Sequence, residues 1–255
     1  MKSVIFYTSL TLLFLAGCTS KIVFDEPVPV VATPNSDLLI SEITTAINTD
    51  GGTFRNHYVE LFNGTASAVD LTDYAVGYFA TKDTFTLSDF NFTLSNSFIT
   101  LNKKLDTNKC YVIASPICDN TKLKGDTTWG TTSNTAANAS NPLQLSGNSA
   151  IALLKKDATG AYNLSGNKYK IIDVFGSPLV ARVNSQGTSS SRNNIMWAVA
   201  GETRDTRNRT FFRKSSVKNP TIDWNVSRGT DAINSQWIIT NDRVWDYTNV
   251  GLPTQ

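Results

Sequence analysis

Two short segments decide the fold: residues 38–43, Leu-Leu-Ile-Ser-Glu-Ile, and residues 58–63, Tyr-Val-Glu-Leu-Phe-Asn. In the second segment Val59 and Leu61 lie on one face and their neighbours lie on the other, which is the two-residue period of a β-strand. In the first segment apolar side chains fall on both faces, so the pattern indicates a strand but does not fix its register. The two segments together predict a sheet with one face in the core.

The composition is typical of an all-β protein. Charged residues make up 17% of the chain against a usual ~25%, and Thr, Ser and Asn take their place. Short apolar runs separated by Gly, Pro and polar loops favour many strands, and 255 residues suffice for one β-sandwich. The net charge of +2 is too small to indicate a nucleic-acid partner, because phosphate binding requires several clustered cations.

The N-terminus has the organisation of a secretory signal. Lys2 precedes an apolar run at residues 4–16, which is too short to span ~30 Å of hydrocarbon at ~1.5 Å per residue. The run ends in Leu15-Ala16-Gly17-Cys18, which resembles the bacterial lipobox. That resemblance implies cleavage before Cys18, a diacylglycerol on its sulfur and a fatty acyl chain on the new amine. Two or more acyl chains hold a protein stably at a membrane.

We therefore expect residues 1–17 to be a lipoprotein signal peptide and Cys18 to anchor the chain in the cell envelope. In the sorting logic of these proteins, Thr19 in place of Asp after the cysteine points to the outer membrane. Residues 18–36 contain three prolines and no amphipathic period, so we interpret them as an extended, acylated tether.

A set of segments further along the chain carries a family resemblance. In order, they are Ile40-Ser41-Glu42-Ile43, Val59-Glu60-Leu61-Phe62-Asn63, Val69-Asp70-Leu71 with Tyr74, Trp129-Gly130, Leu145-Ser146-Gly147-Asn148-Ser149 and Ile172-Asp173-Val174-Phe175-Gly176. In order and spacing they resemble a lamin tail domain, a sandwich found in nuclear lamins and in bacterial envelope proteins. The resemblance implies an all-β, immunoglobulin-like β-sandwich of Greek-key type at residues 37–177.

Residues 178–255 hold four of the five tryptophans, which are Trp197, Trp224, Trp237 and Trp245. A packed tryptophan buries ~150–250 Å², so a stretch this rich in tryptophan is predicted to fold. The segments around these tryptophans resemble the C-terminal extension that many bacterial lamin tail domains carry. We expect residues 178–255 to be an extension of the same domain, packed on the sandwich.

Two cysteines remain once Cys18 is acylated. We predict that Cys110 and Cys118 form a disulfide in an oxidising compartment, where closing so short a loop would stabilise the fold by ~2–3 kcal/mol. The alternative is two free thiols, one of them buried in a strand. The spacing of these cysteines matches no zinc site.

The sequence contains no recognisable catalytic constellation. His57 is the only histidine, and no serine lies in a Gly-x-Ser-x-Gly elbow, so a nucleophile and its base are not paired by any motif. We interpret His57 as a surface residue at the start of a strand. We therefore expect no enzyme activity, and no cofactor apart from the lipid on Cys18.

Glu42 and Glu60 are the candidate metal ligands, because adjacent strands could bring two carboxylates together. Calcium takes about six to eight oxygens, so Asp50, Asp70 or Asp73 would have to join them. Alternatively, each glutamate pairs with a nearby cation or backbone donor and holds the strand ends. A metal site here would suit an accessory to a metal-dependent hydrolase or nuclease.

Two further features are candidates for binding. Arg204, Arg207 and Arg209 belong to a basic run that could bind anionic glycan, lipid headgroups or nucleic acid, or could be a solvated loop leading into a strand. Trp129 lies in a long polar loop and could stack on a sugar ring, or could belong to the core as most tryptophans do.

Together these observations favour a lipid-anchored cell-envelope protein whose domain binds or scaffolds without catalysis. A polysaccharide-binding surface lipoprotein and the metal-dependent hydrolase or nuclease accessory are the alternatives. The expected partners are the membrane, through the lipid anchor, and an envelope protein or glycan.

Overall fold

The computed structural model describes residues 34–45, 54–79, 98–132, 141–143, 145, 150–176, 183–184, 195–196, 198–202, 208–241 and 243–253. All of these residues belong to one compact unit within Thr33–Gln255. Among them, no helix has the length and apolarity needed to cross a membrane.

Short strands make up most of the regular structure in these residues. In chain order they are β1 (Leu39–Thr45), β2 (Tyr58–Asn63), β3 (Val69–Asp70), β4 (Tyr74–Phe79), β5 (Phe98–Thr100), β6 (Lys104–Leu105), β7 (Lys109–Ala114), β8 (Thr127–Thr128), β9 (Ala150–Lys156), β10 (Tyr162–Leu164), β11 (Asn167–Phe175), β12 (Val183–Asn184), β13 (Ile195–Met196), β14 (Arg209–Arg213) and β15 (Trp237–Ile239). A 3-10 turn at Leu71–Asp73 and one short helix, α1, at Trp224–Arg228 complete the described elements.

The longer strands form two sheets that share one core. The first sheet has the order β15-β14-β1-β2-β7-β8 and is antiparallel except between β7 and β8. The second sheet has the order β10-β11-β9-β4-β5 and is antiparallel. Ile43 and Val59 from the first sheet and Val76 and Leu153 from the second belong to the same buried cluster. The all-β sandwich predicted from the sequence is confirmed.

A β-bulge in β1 settles the register that the sequence left open. Ile40 and Glu42 pair with consecutive residues of β2, so Ser41 between them has no residue opposite it. Because of this extra residue, Ile40 and Ile43 both reach the core between the sheets although they are three positions apart. Glu42 is left on the other side of the sheet.

The C-terminal extension builds part of the first sheet. β14 pairs with β1, and β15 pairs with β14. These two strands cover an edge of β1 that would otherwise present unpaired backbone groups. Aromatic rings fill the junction, since the ring centroids of Phe211, Trp224 and Trp237 lie 4.8 to 5.3 Å from that of Phe175 on β11.

A buried ion pair joins the second sheet to β1 and to the extension. Asp173 on β11 accepts a hydrogen bond from Arg213 Nη2 on β14 at 3.1 Å, and the two side chains are 0% and 1% exposed. The same carboxylate accepts hydrogen bonds from the backbone N–H groups of Ile40 at 2.8 Å and Thr221 at 3.0 Å. The guanidinium lies 4.7 Å from the ring centroid of Trp237. Burial raises the pKa of Asp173, and Arg213 and the two backbone donors oppose that rise.

Removing the cation from this pair is expected to destabilise the fold strongly. In Arg213→Met the Asp173 carboxylate loses its buried partner, which typically costs ~3–5 kcal/mol in the free energy of unfolding. The matched control is Lys170→Met, which breaks the more exposed Lys170–Asp157 pair and is expected to cost less than ~1 kcal/mol. Urea unfolding measures both changes, and equal losses would contradict a special role for the buried pair.

Candidate functional site

A row of five side chains crosses the outer face of the first sheet. Successive cross-strand partners are Ile238, Phe212, Glu42, Glu60 and Val112, on β15, β14, β1, β2 and β7. Their sequence neighbours on β14 and β2 face the core between the sheets, so strand alternation places this row on the opposite side. Two carboxylates therefore lie side by side in the middle of an otherwise apolar row.

Residues 243–253, which we name the C-terminal strap, cover one half of this row. The backbone N–H of Gly251 donates to Glu60 Oε2 at 2.6 Å, and Cys110 Sγ donates to the carbonyl oxygen of Leu252 at 3.3 Å. The ring of Tyr247 packs on that of Tyr58, with centroids 6.2 Å apart. A second apolar cluster forms beneath the strap, and its members are Tyr58, Val112, Ala114 and Leu123, with Cys118, Tyr247 and Val250 packed against them.

The strap keeps both glutamates out of water. Glu42 and Glu60 are each 0% exposed. Tyr58 Oη donates to Glu42 Oε1, and Ser41 Oγ donates to Glu60 Oε1 at 2.7 Å. Burial raises the pKa of Glu42 to about 8; the hydrogen bond from Tyr58 opposes the rise, and the charges of Glu60 and Asp246 add to it. Burial also raises the pKa of Glu60, against the hydrogen bonds from Gly251 and Ser41.

This geometry gives the predicted metal ligands a structural role. The structure brings Glu42 and Glu60 together, as adjacent strands required. Both oxygens of Glu60 and Oε1 of Glu42 accept hydrogen bonds from the protein itself, whereas the buried Glu42 Oε2 has no hydrogen-bond partner among the described residues. Asp70 accepts from the N–H of Thr72 at the 3-10 turn, and Asp73 pairs with Lys156. In the described part of the chain, no group of three or more His, Cys, Asp or Glu residues is arranged to hold a metal ion. Asp50 lies outside the described residues.

Of the two alternatives for Trp129, the structure supports packing in the core rather than stacking on sugar, because the side chain is 5% exposed and belongs to the core between the sheets. Arg209 is also not a free surface cation. It is 8% exposed, and its guanidinium donates to the carbonyl oxygen of Thr240 at 2.7 Å and pairs with Glu202 at 3.3 Å. Arg204 and Arg207 lie outside the described residues. The basic run is therefore not a binding surface at Arg209.

The predicted disulfide is also wrong, since Cys110 and Cys118 are both free thiols. Cys110 lies near the start of β7 and Cys118 beyond its end, and the strand from Cys110 to Ala114 alone spans ~13 Å at ~3.3 Å per residue. A disulfide requires Cα atoms within ~7 Å. Cys118 Sγ donates instead to the carbonyl oxygen of Leu123 at 3.6 Å. Cys18 lies outside the described residues.

His57 is buried, which corrects its assignment to the surface. The side chain is 0% exposed, and Nδ1 lies 2.7 Å from the carbonyl oxygen of Leu143. Burial lowers the pKa of His57 to about 3, against the hydrogen bond to Leu143. The imidazole is therefore neutral at physiological pH and belongs to the packing at the start of β2.

The uncovered half of the row forms the floor of a cavity of about 290 Å³, which we name the outer trough. Phe212 and Ile238 line it from the sheet, and Asp246, Asn249, Leu252 and Pro253 line it from the strap. Sequence reasoning missed this site, because its lining residues come from β14, β15 and the strap, which are separate segments of the chain. The one available signal was Phe212, which follows a core aromatic residue on a strand and so must face outward.

The two packed sheets define the class of the protein, which is an all-β, immunoglobulin-like sandwich. Residues 31–176 match the family model described as Lamin Tail Domain, which is more than half of the 255-residue chain. The chain belongs to the lamin tail domain family, and the resemblance predicted from the sequence is confirmed. The match ends before β14, β15 and the strap.

Comparison with solved structures finds similarity to the crystal structure of a DUF4876 family protein from Bacteroides thetaiotaomicron. The two chains are 13% identical, the alignment covers 82% of this chain and 69% of the other, and the TM-score is 0.41. No curated protein matches the chain.

The proton on Glu42 should make stability depend on pH. Between the usual carboxyl pKa of 4.5 and the raised pKa of about 8, the folded chain holds a proton that the unfolded chain releases, so the free energy of unfolding falls as the pH rises through this window. The substitution Glu42→Gln removes the titrating group, so the free energy of unfolding of the variant should depend less on pH. The window spans about 3.5 pKa units of about 1.4 kcal/mol each, so the expected difference between wild type and variant across it is on the order of 5 kcal/mol.

Urea unfolding at a series of pH values between 5 and ~9 measures this difference. Asp106→Asn, at an exposed acid, is the control and should leave the wild-type profile unchanged. Parallel profiles for wild type and Glu42→Gln would show that Glu42 is already ionised at neutral pH.

Proposed function

We propose that the chain is a lipid-anchored protein of the bacterial cell envelope, held at the outer membrane, whose lamin tail domain binds or scaffolds a partner without catalysing a reaction. The lipobox-like Leu15-Ala16-Gly17-Cys18 at the end of the apolar run supports the anchor. Thr19 supports the outer membrane. Membership of the lamin tail domain family supports a binding or structural module, and this step is an argument from fold.

The observation that supports a non-catalytic role is that the reactive side chains are hydrogen-bonded within the protein. Glu42, Glu60, Cys110 and His57 are candidate reactive side chains, and each forms a hydrogen bond with the protein's own atoms. Catalytic groups instead need access to a substrate. The hydrogen bond of Glu42 joins β1 to β2, those of Glu60 and Cys110 fix the strap, and that of His57 fixes the segment around Leu143.

The extension supports a role in binding, because it carries most of the exposed large apolar side chains among the described residues. Among the described residues, six of the seven exposed large apolar side chains lie between positions 222 and 252. They are Ile222, Val226, Ile233, Ile238, Val244 and Leu252. Exposed apolar side chains gathered in one region of a domain mark a contact surface. We propose that the extension, rather than the sandwich, meets the envelope protein or glycan.

Acylation tests the anchor. When cells expressing the full chain are labelled with an alkyne analogue of palmitate, the wild type should incorporate label and sediment with membranes. Cys18→Ala should lose the label, because it lacks the sulfur that accepts the lipid. Cys118→Ala, the matched cysteine control, should behave like the wild type. Labelling that persists in Cys18→Ala, or a wild type without label, would contradict the anchor.

Crosslinking in intact cells tests the binding role. A photoreactive amino acid at position 233, where Ile233 is 88% exposed, should give a discrete adduct of constant mass. The same group at position 102, at the exposed Asn102 outside the extension, should not give it. Identical adduct patterns from the two positions would contradict the assignment of the contact surface to the extension.

A further inference from the structure

We propose that the outer trough binds one hexose ring of a neutral polysaccharide. The proposal rests on the binding role argued above and names the class of ligand. The evidence for it is the residues that form the floor and the rim of the trough, and the charge that they carry.

The floor of the trough is apolar. Phe212 and Ile238 are directly opposite each other on β14 and β15, and Ile238 is 55% exposed. Leu252, also 55% exposed, and Pro253 extend this apolar surface from the strap. A pyranose ring presents C–H groups on its faces, and such faces pack on aromatic and aliphatic side chains.

The rim of the trough is polar on the strap side only. Asp246 Oδ1 accepts the N–H of Thr248 at 2.9 Å, which orients the carboxylate. The exposed Asn249 lies three residues further along, and its backbone carbonyl oxygen accepts the N–H of Leu252 at 2.9 Å, which fixes the turn that carries it. A carboxylate accepts hydrogen bonds and a carboxamide both donates and accepts, so the pair matches the hydroxyl groups at the edge of a sugar ring.

The charge of the trough selects a neutral ligand. Arg213 is the one cation among its lining residues. Its guanidinium is buried and paired with Asp173, so it does not offset the charge of Asp246 at the rim. A uronic acid, sulfate or phosphate group would meet an uncompensated carboxylate, which disfavours it. Sugars that carry only hydroxyl groups have no such penalty.

The size of the trough fits one sugar ring. Its volume of about 290 Å³ is close to the lower end of the ~300–1,000 Å³ usual for small-molecule sites. Leu252 and Pro253 belong to the strap and form one wall of the trough. The hydrogen bond from the neighbouring Gly251 to Glu60 fixes the strap at this point. The buried Glu60 carboxylate thus positions one wall of the site without touching the ligand.

Affinity measurements on the full chain, acylated and purified in detergent, test this proposal. The probes are soluble neutral glucan, mannan and galactan, with polygalacturonate as the acidic comparison, and calorimetry or affinity electrophoresis reports binding. We expect at least one neutral polysaccharide to bind and polygalacturonate not to bind. Asn249→Ala should weaken that binding by ~5-fold or more, which corresponds to the loss of one or two hydrogen bonds. Ile238→Asp should abolish it by placing a charge on the floor.

Asn102→Ala is the matched control, because it removes an exposed carboxamide away from the trough and should leave binding unchanged. Asn249 is also exposed, so its variant is expected to fold even if Ile238→Asp does not. The proposal is overturned if no neutral polysaccharide binds, if Asn249→Ala binds as wild type does, or if polygalacturonate binds best. A chain that is acylated at Cys18 and gives the adduct at position 233, but ignores every neutral polysaccharide, refutes this inference alone.

Discussion

The burial of the Asp173 carboxylate is the constraint on which the rest of the structure depends. A charged group with no exposed surface must find donors inside the protein. Asp173 on β11 finds them in three separate segments, at Ile40 in β1, at Arg213 in β14 and at Thr221 before α1. One side chain therefore fixes the second sheet, the first sheet and the extension relative to one another. The aromatic rings around Phe175 then fill the space that this arrangement leaves.

With β14 fixed beside β1, the outer face of the first sheet carries two adjacent carboxylates among apolar side chains. The bulge at Ser41 turns Glu42 outward, next to Glu60, and water would normally solvate both carboxylates. The strap excludes that water, and hydrogen bonds from Gly251 of the strap, Tyr58 of β2 and Ser41 of β1 replace part of it. The cost of this burial appears in the raised pKa of Glu42.

The features that distinguish this chain from a bare lamin tail domain lie beyond the family match. Residues 31–176 supply the sandwich, whereas β14, β15 and the strap supply the trough and most of the exposed apolar side chains. A rigid sandwich that carries a variable binding surface on added segments is a common division of labour in β proteins. Because one fold serves many functions, the shared sandwich does not identify a ligand, and the proposal for the trough rests on the chemistry of its lining residues.

The sequence by itself determined the strand character of residues 58–63, the all-β class and the family, because alternation and the order of segments are local or one-dimensional properties. It also predicted that Glu42 and Glu60 lie side by side, because adjacent strands align their side chains. Only the tertiary structure decided the burial of Trp129 and His57, the separation of Cys110 from Cys118 along β7, and the bulge that sets the register of β1. The physical reason is that burial depends on what packs against a residue from distant parts of the chain, as Leu143 does against His57.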